Sequence, residues 1–259
     1  MKKTIYALAT LAVLASCGSK EKKAEESAQP TETVAKEQEV KAELINPANF
    51  DFTKTLESDQ VYKSIMFFYN TEFQFLVYPY NNKIIYNTQA YSIADGKEVT
   101  IDFVLKDKLE KQLDKNTPIV IKGKIDATNF RHINVVGATI VSEGKAEATA
   151  AFDINKHKPT NVYNPKDLYD FLTKWESKVV TLKGFYQGYT ESTGASKNIL
   201  ERRVDIGETA STLIGCSFNT EPTEAKKLSS GVNKMVVKGT ISHVLRYQRP
   251  YMIDCEQTK

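Results

Sequence analysis

Apolar side chains recur with the spacing of an α-helix in two segments of the chain. Each set occupies positions i, i+3, i+4 and i+7, and each residue lies 106 positions from its counterpart: Tyr62, Ile65, Met66 and Tyr69 in the first set, and Leu168, Phe171, Leu172 and Trp175 in the second. Ser58 precedes the first set as a predicted N-cap, and Asn164 with Pro165 precedes the second as N-cap and first helical residue. The pattern predicts two short helices whose apolar faces pack into a core.

Runs of β-branched and aromatic residues follow each predicted helix and correspond between the two halves. The first runs are again 106 residues apart, and the later pairs diverge only by small insertions in loops: 73–80 with 179–186, 99–105 with 213–218, 118–125 with 234–241, and 133–141 with 250–256. Between the third and fourth strands each half has a short polar, partly helical connection. Each half therefore reads as a helix, three strands, a short helix or loop, and two strands.

Five strands in about 90 residues favour a small, partly open Greek-key barrel. A Lys-Gly pair ends a strand run in each half, at 122–123 and 238–239. The predicted fold class is mainly β with minor α, as two tandem OB-fold-like five-stranded Greek-key barrels, each preceded by a short helix. We expect the aromatic residues Tyr69 and Trp175 to fill a barrel end. The predicted boundaries are a first domain at 46–143, a linker at 144–160 and a second domain at 161–259.

The first 17 residues have the pattern of a bacterial lipoprotein signal. Lys2 and Lys3 precede an apolar stretch, Ile5–Leu14, that is too short to span a bilayer. The end of this stretch, Leu14-Ala15-Ser16-Cys17, resembles a lipobox, which implies cleavage of residues 1–16 and lipidation of Cys17. The alternative is an ordinary secretory signal with a chance cysteine. Acylation would anchor the protein stably without a transmembrane helix.

Residues 17–45 have the composition of a disordered tether. They lack aromatic residues and are rich in Lys, Glu, Ala and Thr, so they cannot bury enough apolar surface to offset the entropy of ordering. A helix is the alternative, but Pro30 and the absence of an apolar stripe oppose it. We expect an outer-membrane lipoprotein of the cell envelope, with the inner or outer face left open.

The second half resembles the tRNA_anti-like OB-fold proteins of bacterial envelopes. The matching features are the helix before the first strand and these segments: Val179–Gly184, Cys216–Phe218, Gly231, Val236–Ile241 and Cys255. The resemblance covers roughly residues 160–259 and extends more weakly to 48–142, where Phe103 stands at the position of Cys216. The family name records similarity to anticodon-binding domains and does not imply binding of tRNA, which an exported protein cannot reach.

Cys216 and Cys255 are the two cysteines that remain once Cys17 is assigned to lipid. In an exported chain they are candidates for a disulfide, and the alternative is a pair of buried thiols acting as small apolar residues. The resemblance implies that they lie on neighbouring third and fifth strands. A bridge there, closing a loop of about 40 residues, would stabilise the second barrel by about 3–4 kcal/mol.

Motifs of catalysis and metal binding are missing from the sequence. His132, His157 and His243 stand apart from one another, without the spacing of a zinc site. There is no nucleophile elbow, phosphate-binding glycine loop or dinucleotide fingerprint. A formal net charge of +3 in 259 residues gives no electrostatic case for nucleic acid. We therefore expect no enzyme activity, no cofactor and no metal, and we do not expect nucleic acid as the main partner.

OB-fold barrels commonly bind ligands with the second and third strands and the two loops beside them. In the second half this predicts a site at 188–203 and 245–251, with these candidate residues: Arg202, Arg203, Arg246, Tyr247, Arg249 and Tyr251. Interleaved Arg and Tyr can stack on a ring and pair with an anion. The alternative is a loop whose arginines extend along the surface and whose tyrosine packs on the barrel rim.

Together these features predict a membrane-anchored, non-enzymatic module that docks an envelope protein or assembly. The alternative is a lipoprotein that binds an oligosaccharide or oligonucleotide through the face of the second barrel.

Overall fold

The computed structural model describes residues 43–85, 90–95, 99–107, 113–114, 116–129, 132–145, 147–148, 151–193, 200–242 and 250–258. The predicted signal, Cys17 and most of the predicted tether lie outside these residues. Lys41–Lys259 form one compact unit. Its elements, in chain order, are β1 (Thr55–Glu57), α1 (Ser58–Asn70), β2 (Glu72–Ile85), β3 (Ala90–Asp95), β4 (Val99–Leu105), β5 (Ile119–Asn129), β6 (His132–Glu143), β7 (Val162–Tyr163), α2 (Pro165–Thr173), β8 (Val179–Thr193), β9 (Leu200–Gly207), β10 (Leu213–Phe218), β11 (Lys234–Ser242) and β12 (Tyr251–Thr258).

Two five-stranded barrels with the same topology form the body of the protein. In the first barrel the order is β3-β4-β6-β5-β2, closed by pairing of β2 with β3, and β4 runs parallel to β6. In the second barrel the order is β9-β10-β12-β11-β8, closed by pairing of β8 with β9, and β10 runs parallel to β12. This is the strand order of an OB-fold, so the predicted fold class is confirmed.

A short strand from each half joins the barrel of the other half. β1, which precedes the first barrel in the sequence, pairs in parallel with β8 of the second barrel and places Leu56 opposite Leu182. β7, which precedes the second barrel, pairs in parallel with β2 of the first and places Tyr163 opposite Phe75. Leu56 and Tyr163 are both buried. The two barrels are therefore tied together by a reciprocal strand exchange.

The two helices begin differently. Asn164 caps α2 as predicted, because its Oδ1 accepts a hydrogen bond of 2.8 Å from the backbone N–H of Lys166. The predicted cap of α1 is wrong: Glu57 occupies the N-cap position and Ser58 is the first helical residue. Ser58 is buried, and its Oγ would lie 2.3 Å from a Cβ added to Gly184. Ser58 is therefore a packing residue that seats α1 on β8.

Aromatic residues join the helices and barrels in one core. Phe68 of α1 lies 5.1 Å, between ring centroids, from Phe171 of α2 and 5.3 Å from Phe152. Trp175 is fully buried and contacts Phe52 edge to face at 5.8 Å. α1 contacts strands of both barrels, and α2 contacts β2 and β4 of the first. The helices therefore lie where the two barrels meet.

Two segments that the sequence assigned to the tether and to the linker contribute residues to this core. Ile45 and Ile154 are buried, and the side chain of Asn155 bonds to both backbone groups of Leu44, at 2.9 and 3.1 Å. Residues 154–156 form one turn of 3₁₀-helix. The chain between the barrels thus packs against the segment where the described structure begins. No helix in the described ranges has both the length and the apolar character needed to cross a bilayer.

Candidate binding face on the second barrel

Alternation along β9 separates its side chains into two faces. Val204 and Ile206 point into the second barrel and are fully buried, whereas Arg203 and Asp205 stand on the outer face. Nε and Nη2 of Arg203 lie 2.7 and 2.6 Å from the same Oδ1 of Asp205. This pair fixes the guanidinium on the strand. A guanidinium has five N–H donors, so Arg203 keeps further N–H groups for an acceptor outside the protein.

Gly215 makes room for two side chains on this outer face. It stands opposite Asp205 on β9 and opposite Tyr251 on β12. A Cβ added to Gly215 would lie 2.9 Å from Cδ2 of Tyr251 and 3.0 Å from Nε of Arg203. The tyrosine ring and the guanidinium therefore both rest directly on the glycine backbone. We call Arg203, Asp205, Gly215, Ser217 and Tyr251 the binding face.

The structure brings together two of the six predicted site residues and separates a third. Arg202 alternates to the side of Val204, where its Nη1 donates a hydrogen bond of 3.4 Å to the carbonyl of Asn219. Its Nε lies 3.5 Å from Oε1 of Glu191. Arg203 and Tyr251 share the binding face, as described above. The remaining three, Arg246, Tyr247 and Arg249, lie outside the described residues.

Asp205, Gly215 and Ser217 are the residues of the binding face that the sequence did not reveal as part of the site. The available signal was the glycine itself, since a glycine inside a strand commonly marks a close approach of another group. Asp205 has no signal beyond its spacing of two from Arg203, which places both on one face once a strand is assumed.

Cys216 and Cys255 lie side by side beneath the binding face. β10 and β12 are parallel neighbours, with Cys216 opposite Met252 and Phe218 opposite Cys255. Both cysteines are buried free thiols. The hydrogen bond with Cys255, followed by burial, raises the pKa of Cys216 well above the usual value. A neutral buried thiol is a weak nucleophile, so this pair behaves as packing in its reduced form. The disulfide stays a prediction.

The histidines do not meet one another in the described structure. Nδ1 of His132 lies 3.1 Å from Oδ2 of Asp102, and Nδ1 of His157 lies 3.0 Å from the hydroxyl of Tyr163. His243 lies outside the described residues. Within those residues, no group of three or more His, Cys, Asp or Glu side chains has the arrangement to hold a metal ion.

No protein-family model matches the chain, and no curated protein sequence matches it. The family resemblance seen in the sequence is therefore not supported by a matching model.

Solved structures similar to this chain include a proposed nucleic acid-binding lipoprotein from Klebsiella pneumoniae subsp. pneumoniae, which is 14% identical. The match covers 35% of this chain and 77% of that protein, with a TM-score of 0.30. The HINa domain of Ifi202 in complex with 20-bp double-stranded DNA is 10% identical, with coverage of 74% and 97% and a TM-score of 0.22. A replication protein A heterotrimer bound to single-stranded DNA is 11% identical, with coverage of 74% and 50% and a TM-score of 0.24.

TM-scores this low do not indicate what this chain binds. The fold assignment follows from the order and direction of the strands: within the described residues, the chain forms two OB-fold barrels joined by exchanged strands.

Proposed function

We propose that this protein is a non-enzymatic docking module of the bacterial cell envelope, held at the outer membrane by lipid on Cys17. Its binding face on the second barrel receives a protein partner. In this proposal the barrels carry out no reaction, and they hold the partner close to the membrane.

The observation that carries this proposal is the arrangement of Arg203 and Tyr251 over Gly215. Tyr and Arg are the residue types most enriched among the dominant contacts of protein interfaces. Asp205 already holds the guanidinium, so binding would cost little additional side-chain entropy. The face is thus preorganised for a flat polar and aromatic contact.

The lipobox-like sequence supports anchoring, and the chain length sets the reach of the module. Residues 18–42 separate Cys17 from the described body, and fully extended they would span at most about 90 Å. Replacing Cys17 with Ser should move the protein from the membrane fraction to the soluble fraction. Unchanged membrane association of Cys17→Ser would contradict the anchor.

Docking can be tested with a photo-crosslinking amino acid at Ser217, which stands opposite Arg203. The matched control is Val104 of the first barrel, which follows Phe103 as Ser217 follows Cys216 and is 37% exposed. We expect one crosslinked envelope protein from position 217 in intact cells and none of the same mass from position 104. The crosslink should be lost in Arg203→Ala and retained in part in Arg203→Lys.

Two outcomes would contradict the docking function. One is the same crosslinked products from both positions. The other is no crosslink at 217 together with a change in the NMR signals of β9 and β12 on addition of an oligosaccharide or oligonucleotide, which would favour the ligand-binding alternative.

A further inference from the structure

A cleft lies along the chain that joins the two barrels, and it shares no residue with the binding face. It has a volume of about 690 Å³ and is lined by Asn46, which precedes the first barrel, and by residues of the chain between the barrels, among them Phe152, Asp153, Lys156, Lys158 and Asn161. A smaller hollow of about 360 Å³ continues from it past Asn46, Asp153 and Lys156. Small-molecule sites commonly have this size and lie between domains.

The inner wall of the cleft is held by a hydrogen-bonded pair of rings. The hydroxyl of Tyr163 accepts a hydrogen bond of 2.9 Å from Nδ2 of Asn161 and lies 3.0 Å from Nδ1 of His157. The rings of His157 and Tyr163 stack with an interplanar angle of 25°. Because Tyr163 belongs to the exchanged strand β7, the wall is fixed to the first barrel. The cleft is therefore formed before any ligand arrives.

An apolar ring and polar side chains share the lining. Phe152 is half-buried and packs edge to face on Phe171 and Tyr163, at 5.0 and 5.3 Å. The amides of Asn46 and Asn161 can each donate and accept hydrogen bonds, as a sugar hydroxyl requires. A partly exposed aromatic ring beside two amides suits a sugar, which has an apolar face and several hydroxyl groups.

The charges around the cleft favour an anion. Lys156 and Lys158 contribute two ammonium groups, and Asp153 contributes one carboxylate. Asp153 is engaged already, because its Oδ1 accepts from the backbone N–H of Asn155 at 3.1 Å and its Oδ2 lies 3.1 Å from Nζ of Lys156. Because Lys156 is the partner of Asp153, the two ammonium groups and one carboxylate leave an excess of one positive charge next to an aromatic side chain.

We infer that this cleft binds an acidic sugar, a monosaccharide unit that carries a carboxylate or a phosphate. The sugar ring packs on Phe152, its hydroxyls bond to Asn46 and Asn161, and its acid group lies between Lys156 and Lys158. This site does not depend on the proposed docking function, since the two surfaces share no residue.

The test uses residues 18–259, which contain the whole compact unit. Titrations followed by ¹H–¹⁵N NMR compare glucuronic acid and glucose 6-phosphate with glucose and with acetate. We expect the charged sugars to shift the signals of Asn46, Asn161 and Lys158, with glucose and acetate binding at least about tenfold more weakly. The stronger of the two charged sugars identifies the acid group.

The decisive variant is Lys156→Gln with Lys158→Gln. Its matched control is Lys226→Gln with Lys227→Gln, since Lys227 pairs with Glu224 three residues earlier as Lys156 pairs with Asp153. The cleft variant should lose at least about tenfold in affinity, and the control should not. The inference is overturned if no charged sugar binds, if acetate or glucose binds equally well, or if both double variants weaken binding alike.

Discussion

The two barrels have the same strand order, but their outer faces differ at equivalent positions. Asp102 stands in the first barrel where Gly215 stands in the second, and it faces Asn134 across the strand pair where Gly215 faces Tyr251. Asp102 pairs with His132, so the first barrel carries a polar pair in place of the aromatic and guanidinium platform. The topology is therefore a scaffold, and the candidate function depends on side chains placed on one copy of it.

The interiors differ as well, at the same register. Phe103 and Ala138 of the first barrel correspond to Cys216 and Cys255 of the second, and all four are buried. In the first barrel these two positions hold one large and one small side chain, and in the second barrel they hold two thiols. Barrels of the same topology can thus fill equivalent core positions with side chains of different size and chemistry.

The largest expected effect comes from separating the barrels. Residues 161–259 alone lack β1 and α1, so the buried Leu56 and Ser58 no longer cover β8. We expect this fragment to show no cooperative thermal transition by circular dichroism, whereas residues 43–259 show one. A cooperatively folded 161–259 fragment would mean that the exchanged strand is not required.

The strands of each barrel were predictable because their signal is local. Their β-branched and aromatic residues and the correspondence between the two halves, 106 residues apart in the first strands, placed the runs, and Asn164-Pro165 marked the start of α2. The exchange of β1 and β7 was not predictable, because strands of three and two residues carry no pattern of their own and pair with distant segments. Ser58 had the residue type of a cap, but burial against Gly184 gave it another role.

The candidate site was predictable by residue type and not by geometry. The mixture of Arg and Tyr marked Arg203 and Tyr251, which the structure places on one face. Neighbours in a strand point to opposite sides, and this separates Arg202 from Arg203. The cleft is lined mainly by a segment that the sequence assigned to a linker, so only the fold could assemble it.

Truncating the core at matched positions tests whether the barrels are filled equivalently. Phe103→Ala should lower the free energy of unfolding by about 3–5 kcal/mol because it leaves a large cavity. Cys216→Ala should cost about 1 kcal/mol under reducing conditions, since it removes one sulfur atom. Urea denaturation measures both.

An oxidised sample sharpens this pair of variants. If Cys216 and Cys255 bridge, mass spectrometry without reduction finds the chain lighter by two hydrogens, and the cost of Cys216→Ala rises by about 3–4 kcal/mol. Equal costs for Phe103→Ala and reduced Cys216→Ala would contradict the expectation that Phe103 fills more of the first core than Cys216 fills of the second.

Replacing the glycine of either Lys-Gly pair should cost less stability than separating the barrels or truncating Phe103. The cost should come from a different neighbouring side chain at each glycine. A Cβ at Gly123 would lie 2.4 Å from Cγ1 of Val135, and a Cβ at Gly239 would lie 2.7 Å from Sγ of Cys255. We expect Gly123→Ala and Gly239→Ala each to destabilise by about 1–3 kcal/mol in urea.

Double-mutant cycles separate the two clashes. Val135→Ala should relieve part of the cost of Gly123→Ala, and Cys255→Ala part of the cost of Gly239→Ala, while the crossed combinations should be additive. Additivity in all four combinations would contradict the proposed contacts.

The smallest expected effect is a difference between the two exchanged strands in how much stability each loses in acid. β1 inserts Leu56, which does not titrate, whereas β7 inserts Tyr163, whose hydroxyl is bonded to His157. Burial lowers the pKa of His157 below its ordinary value of 6.5. Since the unfolded chain binds this proton more readily, the contribution of neutral His157 to stability is complete above about pH 6.5 and declines as the pH falls towards the folded-state pKa.

We expect thermal unfolding followed between pH 7.5 and pH 5 to show this acid-induced loss in the wild type. The His157→Gln variant should show a smaller loss, because the titrating group is gone. If His157→Gln and the wild type lose stability in parallel, the β7 strand is no more acid-sensitive than β1, and the asymmetry between the two exchanged strands lies in packing alone.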